Sequence, residues 1–439
     1  MAHEMAFDDV ANTPQTSEER ARRESVRPEE RSVPFWGLMM FTFVLFVAPQ
    51  SFIPGLAALM PAKIAMGIAL VAYLLSGRSF PVTPTVQWAI ALTACALLSI
   101  PLGFWPGGSV TEFFDFFAKS LVVFLLIASV VDTPRRMKLL IGSMVAWGTF
   151  AAVHAIDQYR TGALDPTGRI GGFNSPLASN PNDLALTLNI LLGLGLGLLP
   201  IVRVRSRRML LLAALALTVA GIVASFSRGG FITLAAVGLV WGARAARTRG
   251  VQAIAGVALA GVLILTVAPS DYVGRLSTIF DSEADESGSW TERWELIGTA
   301  LGYIAERPFF GMGLGNSRHV TVARGGPDRE THNAYLKAGA ELGVTGMIAY
   351  TAFVASAFVA VRAVRRRLGR HPDGREVASL AWGVELGVVA FAVGALFSPV
   401  PYHFYFFYPA GLAVALTVMA GRFEPPRVAA PVAEAETEA

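Results

Sequence analysis

Long apolar stretches alternate with short polar gaps along most of the chain. Each stretch holds about 17–25 residues with few charges, which is enough to cross a bilayer as a helix. The pattern predicts an all-α integral membrane protein with about twelve transmembrane helices. The predicted spans are residues 34–51, 55–76, 86–104, 112–131, 135–156, 183–201, 208–225, 229–244, 251–268, 344–364, 377–398 and 404–421. A polytopic membrane domain at 34–422 is thus expected between two disordered cytoplasmic tails, 1–33 and 423–439.

The longest polar gap, residues 269–343, differs from the others because it has helical periodicity of its own. Ser289 and Glu292 form a capping-box pattern, and apolar residues then recur on one helical face until Pro308 ends the helix. A glycine-rich turn, Gly311–Gly315, follows. We therefore expect a large periplasmic loop that contains amphipathic helices and carries the candidate chemistry.

Composition and charge agree with a membrane protein of defined orientation. The chain is 54% hydrophobic and 15% charged, and its mean hydropathy is +0.52. Most arginines fall in alternate gaps, so the positive-inside rule places both termini in the cytoplasm. The net charge of +4 therefore indicates orientation and not nucleic-acid binding. Cys95 is the single cysteine, which excludes an intrachain disulfide and a multi-cysteine metal site.

Two lysines and one acidic run allow more than one interpretation. Lys119 shares a helix face with Asp115 and can pair with it. Lys63 either snorkels to the membrane surface or lies beside an anionic lipid headgroup. The acidic residues within 281–286 could bind a divalent cation, but their serine and glycine neighbours favour a solvated loop. We expect no metal ion and no cofactor.

The outer gaps hold the candidate site residues. Arg169 lies among glycines, where backbone and guanidinium donors together can approach an anion. Asn180 fits a helix N-cap before Pro181. Arg228 stands beside two glycines against the positive-inside bias. His332 lies where the long loop meets a helix, so it is a candidate general base.

These residues together resemble the O-antigen ligase and polymerase superfamily over roughly residues 165–400. The resemblance rests on 227–230 (Ser-Arg-Gly-Gly), 291–294 (Thr-Glu-Arg-Trp), 332–336 (His-Asn-Ala-Tyr-Leu) with Glu341, Gly343 and Gly346, and 172–182. It implies twelve membrane helices, a periplasmic site and transfer of a glycan from an undecaprenyl-diphosphate carrier to an acceptor hydroxyl. It also implies diphosphate binding by Arg228 and Arg293 and a catalytic role for His332. The further candidate substrate-binding residues are Arg169, Asn182, Lys63, Arg275, Asn333, Tyr335 and Glu341.

The chemistry of these residue types agrees with that resemblance. Guanidinium groups bind phosphate oxygens through a planar fork, and a neutral histidine can accept the acceptor hydroxyl's proton. A single displacement at the anomeric carbon would invert it. The expected protein is an inverting membrane glycosyltransferase of the bacterial inner membrane, with its active face in the periplasm. Its partners would be the carrier-linked donor, a glycan or lipid A-core acceptor and the lipid bilayer, without nucleic acid.

The sequence leaves alternatives open. A ligase and a polymerase differ in the acceptor, which the motifs do not identify. A lipid-linked oligosaccharide flippase or other transporter would also be polytopic and basic, but no inverted repeat is evident. A purely structural membrane protein would leave the outer arginines unexplained.

Overall fold

The computed structural model describes residues 33–164, 169–172, 175–249 and 289–423. Within these ranges the regular structure is helical, apart from one antiparallel bridge between Leu164 and Ile170. The α-helices in chain order are α1 Val33–Val47, α2 Pro61–Leu75, α3 Pro84–Leu102, α4 Pro106–Glu112, α5 Ala118–Val130, α6 Pro134–Thr161, α7 Pro181–Leu198, α8 Arg205–Ala224, α9 Arg228–Arg249, α10 Ser289–Glu306, α11 Ser317–Ala323, α12 Ala334–Leu368, α13 Arg375–Gly394 and α14 Phe404–Gly421. A π-helical turn, Phe113–Phe117, joins α4 to α5. Short 3-10 turns lie at Pro49–Ser51, Leu56–Leu59 and Pro372–Gly374.

Ten helical segments of the described chain are long and apolar enough to cross a membrane. The shorter apolar helix α1 coincides with an eleventh predicted span. The all-helical membrane class is therefore confirmed, whereas the count of twelve stays a prediction. Span 251–268 lies outside the described residues, as do Arg275, the acidic run 281–286 and most of both tails.

Several predicted helix boundaries were wrong for local reasons. The first span ends at Val47 because Ala48 adopts a left-handed conformation and a proline follows it. The span expected at 344–364 begins ten residues earlier, at Ala334, and is interrupted at Gly343. That interruption coincides with the predicted start of the span.

Helices α7 and α13 pack most closely in the centre of the bundle. Each carries two glycines four residues apart, Gly193 and Gly197 in α7 and Gly383 and Gly387 in α13. A Cβ on Gly197 would lie 2.5 Å from the Gly383 Cα, and one on Gly193 would lie 2.7 Å from the Gly387 nitrogen. Small residues at this spacing let membrane helices approach backbone to backbone. The glycine-rich span is therefore a central packing element.

Helix α14 supplies the aromatic part of the core. The Phe406 ring lies 4.8 Å from the rings of both Phe353 and Phe391. Edge-on and tilted aromatic contacts of this kind stabilise beyond the area that they bury. The same helix donates or accepts a buried hydrogen bond of 2.8 Å between Tyr408 and Thr42 of α1. It therefore connects α1, α12 and α13.

The connecting segments form two opposite faces, because successive spans run in opposite directions. We call the face with residues 48–60, 103–105, 162–164, 169–172, 175–180, 225–227, 307–333 and 395–403 the site face, and the other the arginine face. On the site face, Phe104 donates its N–H to the Met312 carbonyl at 2.8 Å. On the arginine face, Asp132 pairs with Arg78 at 3.1 Å and with Arg136 at 2.7 Å. Contacts within each face thus join connecting segments that the positive-inside rule places on the same side of the membrane.

The interruption of α12 at Gly343 has a specific geometry. Gly343 has φ 74° and ψ −176°, a region that is essentially restricted to glycine. A Cβ there would lie 2.5 Å from the Pro308 carbonyl oxygen. The next N–H, that of Val344, donates to this same carbonyl at 2.6 Å instead of continuing the helix. The helix is therefore broken into a short segment at the site face and a long span.

The break leaves two helix carbonyls available for the glycine turn Gly311–Gly315. Ala340 accepts a hydrogen bond of 2.8 Å from the N–H of Met312, and Glu341 accepts one of 2.9 Å from the N–H of Gly313. In an uninterrupted helix these carbonyls would bond to residues four positions later. The turn therefore fixes α10 and α11 against α12 and positions the polar segment on the site face.

Candidate functional site

The start of α9 presents Arg228 at the site face. Ser227 precedes it as the N-cap, and its Oγ accepts a hydrogen bond of 3.1 Å from the N–H of Gly230. Phe226 has a left-handed backbone, with φ 52°, which reverses the chain between α8 and α9. Arg228 is half-buried at the first helical position. The N-terminal end of α9, with the positive end of its helix dipole, therefore begins at a cationic residue.

The two glycines after Arg228 serve close packing. A Cβ on Gly229 would lie 2.6 Å from the Phe397 Cβ, and one on Gly230 would lie 2.6 Å from the Ala185 Cβ. The first turn of α9 is thus enclosed by α7 and by the segment that follows α13. These glycines let protein side chains approach, which fixes the position of the helix start.

Asn182 connects α7, the 169–172 segment and the start of α9. Its Oδ1 accepts a hydrogen bond of 2.8 Å from the Ser227 hydroxyl and one of 3.0 Å from Arg169 Nη2. Arg169 also donates to the Ser225 carbonyl at 3.4 Å. As predicted, Asn180 caps α7, because its side chain accepts the N–H groups of Asn182 and Asp183. Arg169 and Asn182 therefore lie directly behind Arg228.

Arg293 of α10 reaches the same place from the long polar segment. It lines a small cavity together with residues of α7, α9 and the end of α13. The other lining residues are Asn182, Leu186, Ser227, Gly229, Gly230, Thr233, Gly394, Phe397 and Ser398. We call this the site cavity. The fold thus brings together Arg293 and the start of α9 at Arg228, 65 positions apart in the chain, at a polar cavity.

His332 lies at the start of α12, next to the wall of the site cavity. The N–H of Ala334 donates to the Ala395 carbonyl at 2.8 Å, which ties this helix start to the end of α13. Asn333 caps α12, since its Oδ1 accepts the N–H groups of Tyr335 and Leu336 at 3.0 Å. These contacts fix the backbone that carries His332, whose side chain is half-buried.

Three predicted substrate-binding residues make structural contacts. Asn333 is the helix cap just described, and the Tyr335 hydroxyl donates to the Ala392 carbonyl at 3.1 Å. Glu341 is fully buried, and its carboxylate accepts from the Ser317 hydroxyl at 2.7 Å and from the Gly315 N–H at 3.0 Å. Glu341 therefore holds the glycine turn and α11 against α12. Substrate binding by these three residues stays a prediction.

A buried lysine that the sequence reasoning missed lies one helical turn before Glu341. Lys337 is 3% exposed, and its Nζ pairs with Glu330 Oε2 at 2.8 Å. Burial acts to raise the pKa of Glu330, but the charge and hydrogen bond of Lys337 outweigh it and lower that pKa. Glu341 and Glu112 add further attraction to the lysine. The sequence signal for this buried lysine is its position in an apolar segment, four residues before a glutamate.

His403 lies beside this ionic cluster, immediately before α14. Its ring centroid is 4.6 Å from that of Phe116. Burial and the positive charge of Lys337 lower the pKa of His403 to about 4, although Glu330 opposes the shift. His403 is therefore neutral at neutral pH.

Two of the remaining outer arginines form ion pairs within the same segment. Arg318 forms a two-point pair with Asp328 at 2.6 and 2.8 Å, and Arg324 forms one with Glu306 at 2.8 and 2.9 Å. The hydrogen bond from Arg324 lowers the pKa of Glu306. All four side chains are exposed. These pairs explain part of the arginine excess without a ligand.

The two lysines that the sequence places within spans, Lys63 and Lys119, lie in different surroundings. Lys63 is exposed on the first turn of α2, at the site face, which suits either interpretation given above. The predicted pair of Lys119 with Asp115 is confirmed, at 3.1 Å. Among the described residues, no group of three or more His, Cys, Asp or Glu side chains could hold a metal ion.

Residues 212–351, from the middle of α8 to the middle of α12, match the family model of the O-antigen ligases. This match supports the resemblance of the chain to the O-antigen ligase and polymerase superfamily. The segment matched to the O-antigen ligases holds Arg228, Arg293, His332 and the buried residues Lys337 and Glu341. Arg169 and Asn182 lie before it and reach it through the hydrogen bonds described above. The comparison with curated proteins gave no match.

Proposed function

We propose that this multi-pass membrane protein transfers a glycan from undecaprenyl diphosphate to an acceptor hydroxyl at the periplasmic face of the inner membrane. The observation that carries the proposal is the site cavity. There Arg293 meets the capped start of α9, which begins with Arg228. Both lie in the segment matched to the O-antigen ligases.

The arrangement suits a diphosphate held at headgroup level. Arg228 and Arg293 supply planar donors that remain charged at any relevant pH, and the first turn of α9 adds backbone N–H groups and its dipole. Donors fixed in this way stabilise charge as it develops on a leaving group. The hydrogen bonds among Arg169, Asn182 and Ser227 hold the α9 start in place.

His332 would act as general base in one displacement. The acceptor oxygen forms a bond to the anomeric carbon while the bond from that carbon to the diphosphate oxygen breaks. The hydroxyl proton moves to His332, and the electron pair of the broken bond stays on undecaprenyl diphosphate. The anomeric centre is inverted, and no further reactant is needed because the lipid diphosphate already activates the donor.

Substitution of His332 tests this role. A positioned general base contributes about 10²–10⁴-fold to the rate, so His332→Ala and His332→Gln should both lose transfer to that extent while still binding the donor. Glutamine keeps hydrogen-bonding capacity without a titratable base. Near-normal turnover in His332→Gln would show that His332 positions the acceptor, and glycan transfer itself would still stand.

Thiol labelling tests the proposed orientation. In a Cys95→Ala background, a cysteine at exposed Pro327 should react with a membrane-impermeant reagent in cells with a permeabilised outer membrane. A cysteine at exposed Arg370, on the arginine face, should stay unreactive until the inner membrane is opened. The reverse pattern would place the site cavity in the cytoplasm and contradict the proposal.

Deletion of the gene separates the possible functions. A ligase deletion leaves long carrier-linked chains without acceptor-linked glycan, and a polymerase deletion leaves single repeat units on the acceptor. Carrier-linked glycan trapped in the cytoplasmic leaflet would indicate a flippase and overturn the proposal. The clustering of polar residues at one face favours transfer over transport, because a transporter needs its site near the bilayer midplane.

A further inference from the structure

The arginine face contains an open cavity far larger than the site cavity. It has a volume of about 1020 Å³ and lies between α6, α8, the 199–204 segment and the start of α13. We call it the inner-leaflet cavity. Five cations line it: Arg135, Lys138, Arg203, Arg207 and Arg375. Glu376 is the one acidic side chain among its described lining residues, and it pairs with Lys138.

The cations at the cavity mouth leave an excess of positive charge. Arg203, Arg207 and Arg375 are exposed, and within the described chain no acidic side chain forms an ion pair with any of them. Three guanidinium groups around one opening favour a phosphate, which accepts their paired donors. The cavity therefore has the charge for an anionic headgroup.

The depth of the cavity is apolar. Leu139 and Val145 of α6 and Leu210 of α8 line it, and Leu210 is 72% exposed. The lining of α6 runs from Arg135 to Ala146, eleven residues or about 16 Å of helix. One leaflet of the bilayer's hydrocarbon core is about 15 Å thick. The cavity thus matches the acyl region of one leaflet, beneath a cationic mouth.

The wedge shape of the cavity comes from the packing of α6 and α8. Farther along both helices, a Cβ on Gly221 would lie 2.7 Å from the Ala152 Cβ, so the helices touch there. Toward the arginine face they separate, and Gly142 of α6 borders the gap with nothing within 4 Å of an added Cβ.

We propose that the inner-leaflet cavity binds an anionic phospholipid, with its phosphate at Arg203, Arg207 and Arg375 and its acyl chains between α6 and α8. Free phosphate would use the mouth but not the apolar depth. General attraction of the arginine face to anionic lipid would use every arginine there equally. One binding experiment distinguishes these two alternatives, free phosphate and general surface attraction, from a lipid bound in the cavity.

The test is lipid binding to the purified full-length protein in detergent, followed by native mass spectrometry. Phosphatidylglycerol and phosphatidylcholine are titrated separately, and inorganic phosphate is added as a competitor. Arg203→Gln with Arg207→Gln should weaken phosphatidylglycerol binding roughly 25-fold, about fivefold for each arginine. The matched control is Arg366→Gln with Arg370→Gln, two exposed arginines of the same face outside the cavity. This control should change the affinity less than twofold.

Equal losses in the two double variants would overturn the proposal in favour of diffuse surface attraction. Displacement of the lipid by millimolar inorganic phosphate would also overturn it. A second variant keeps every charge: Gly142→Trp fills the apolar gap and replaces a helical glycine with a better helix former. It should reduce phosphatidylglycerol binding about as strongly as the arginine pair. Unchanged binding in Gly142→Trp would show that acyl chains do not enter the cavity.

Discussion

The break in α12 at Gly343 is the feature whose loss has the most calculable effect. In Gly343→Ala, the backbone must hold an L-residue at φ 74° and ψ −176°, which costs about 1–3 kcal/mol. The new Cβ would also lie 2.5 Å from the Pro308 oxygen, where ordinary contact begins at 3.4 Å. Relief of such overpacking costs about 1–3 kcal/mol more. The total expected loss is about 2–6 kcal/mol.

The assay is unfolding of the purified protein in detergent, with the midpoint measured against temperature and denaturant. Gly142→Ala is the matched control, because it adds the same methyl group to a helix where nothing lies within 4 Å. It should be neutral or stabilising by about 0.5–1 kcal/mol. If Gly343→Ala were as stable as the wild type, the break and the hydrogen bonds of the glycine turn would not hold the long polar segment.

Three further predictions concern charges at the site face. Arg228→Lys and Arg293→Lys keep the positive charge but lose the planar guanidinium fork, so each should lower the rate of glycan transfer about tenfold to hundredfold. Arg324→Lys, in an exposed ion pair, should change that rate by less than about twofold. Equal tolerance at all three sites would contradict diphosphate binding by Arg228 and Arg293. Lys337→Met should destabilise the protein by about 3–5 kcal/mol, because it leaves the carboxylate of Glu330 without its partner. Neutralising Glu330 as well, with Glu330→Gln, should restore part of the lost stability. An unchanged unfolding midpoint in Lys337→Met would contradict the buried ion pair. The pKa of His403 is about 4 in the folded protein and 6.5 when exposed. The unfolded chain therefore binds the extra proton between these values, and stability should fall as the pH drops from 6.5 toward 4, by at most about 3 kcal/mol from this group; a stability-against-pH curve that His403→Gln leaves unaltered would contradict the shift.

Local patterns predicted the parts of the fold that depend on neighbouring residues. Apolar runs identified the spans, and Asn180 with Pro181 identified the start of α7, which the capping hydrogen bonds confirm. Likewise, Asp115 and Lys119 pair at 3.1 Å because four residues along a helix place them on one face.

Contacts between distant segments could not be predicted in this way. The hydrogen bond from Ser227 to Asn182 joins residues 45 positions apart, and no local pattern carries that pairing. Lys337 was missed for another reason. The apolar pattern predicts that the span begins at residue 344, which places Lys337 in the loop 269–343, where a lysine would be unremarkable. Buried within a helix next to Glu330, the same lysine becomes costly and informative.

The central claim is that the protein itself catalyses glycan transfer from a lipid diphosphate. The most direct measurement reconstitutes the purified protein with undecaprenyl-diphosphate-linked glycan and a hydroxyl acceptor, without any nucleotide sugar, and follows both products. We expect acceptor-linked glycan and free undecaprenyl diphosphate in equal amounts, and about tenfold to hundredfold less of both with Arg293→Lys. Movement of intact carrier-linked glycan between leaflets, with no new glycosidic bond and no released diphosphate, would contradict it.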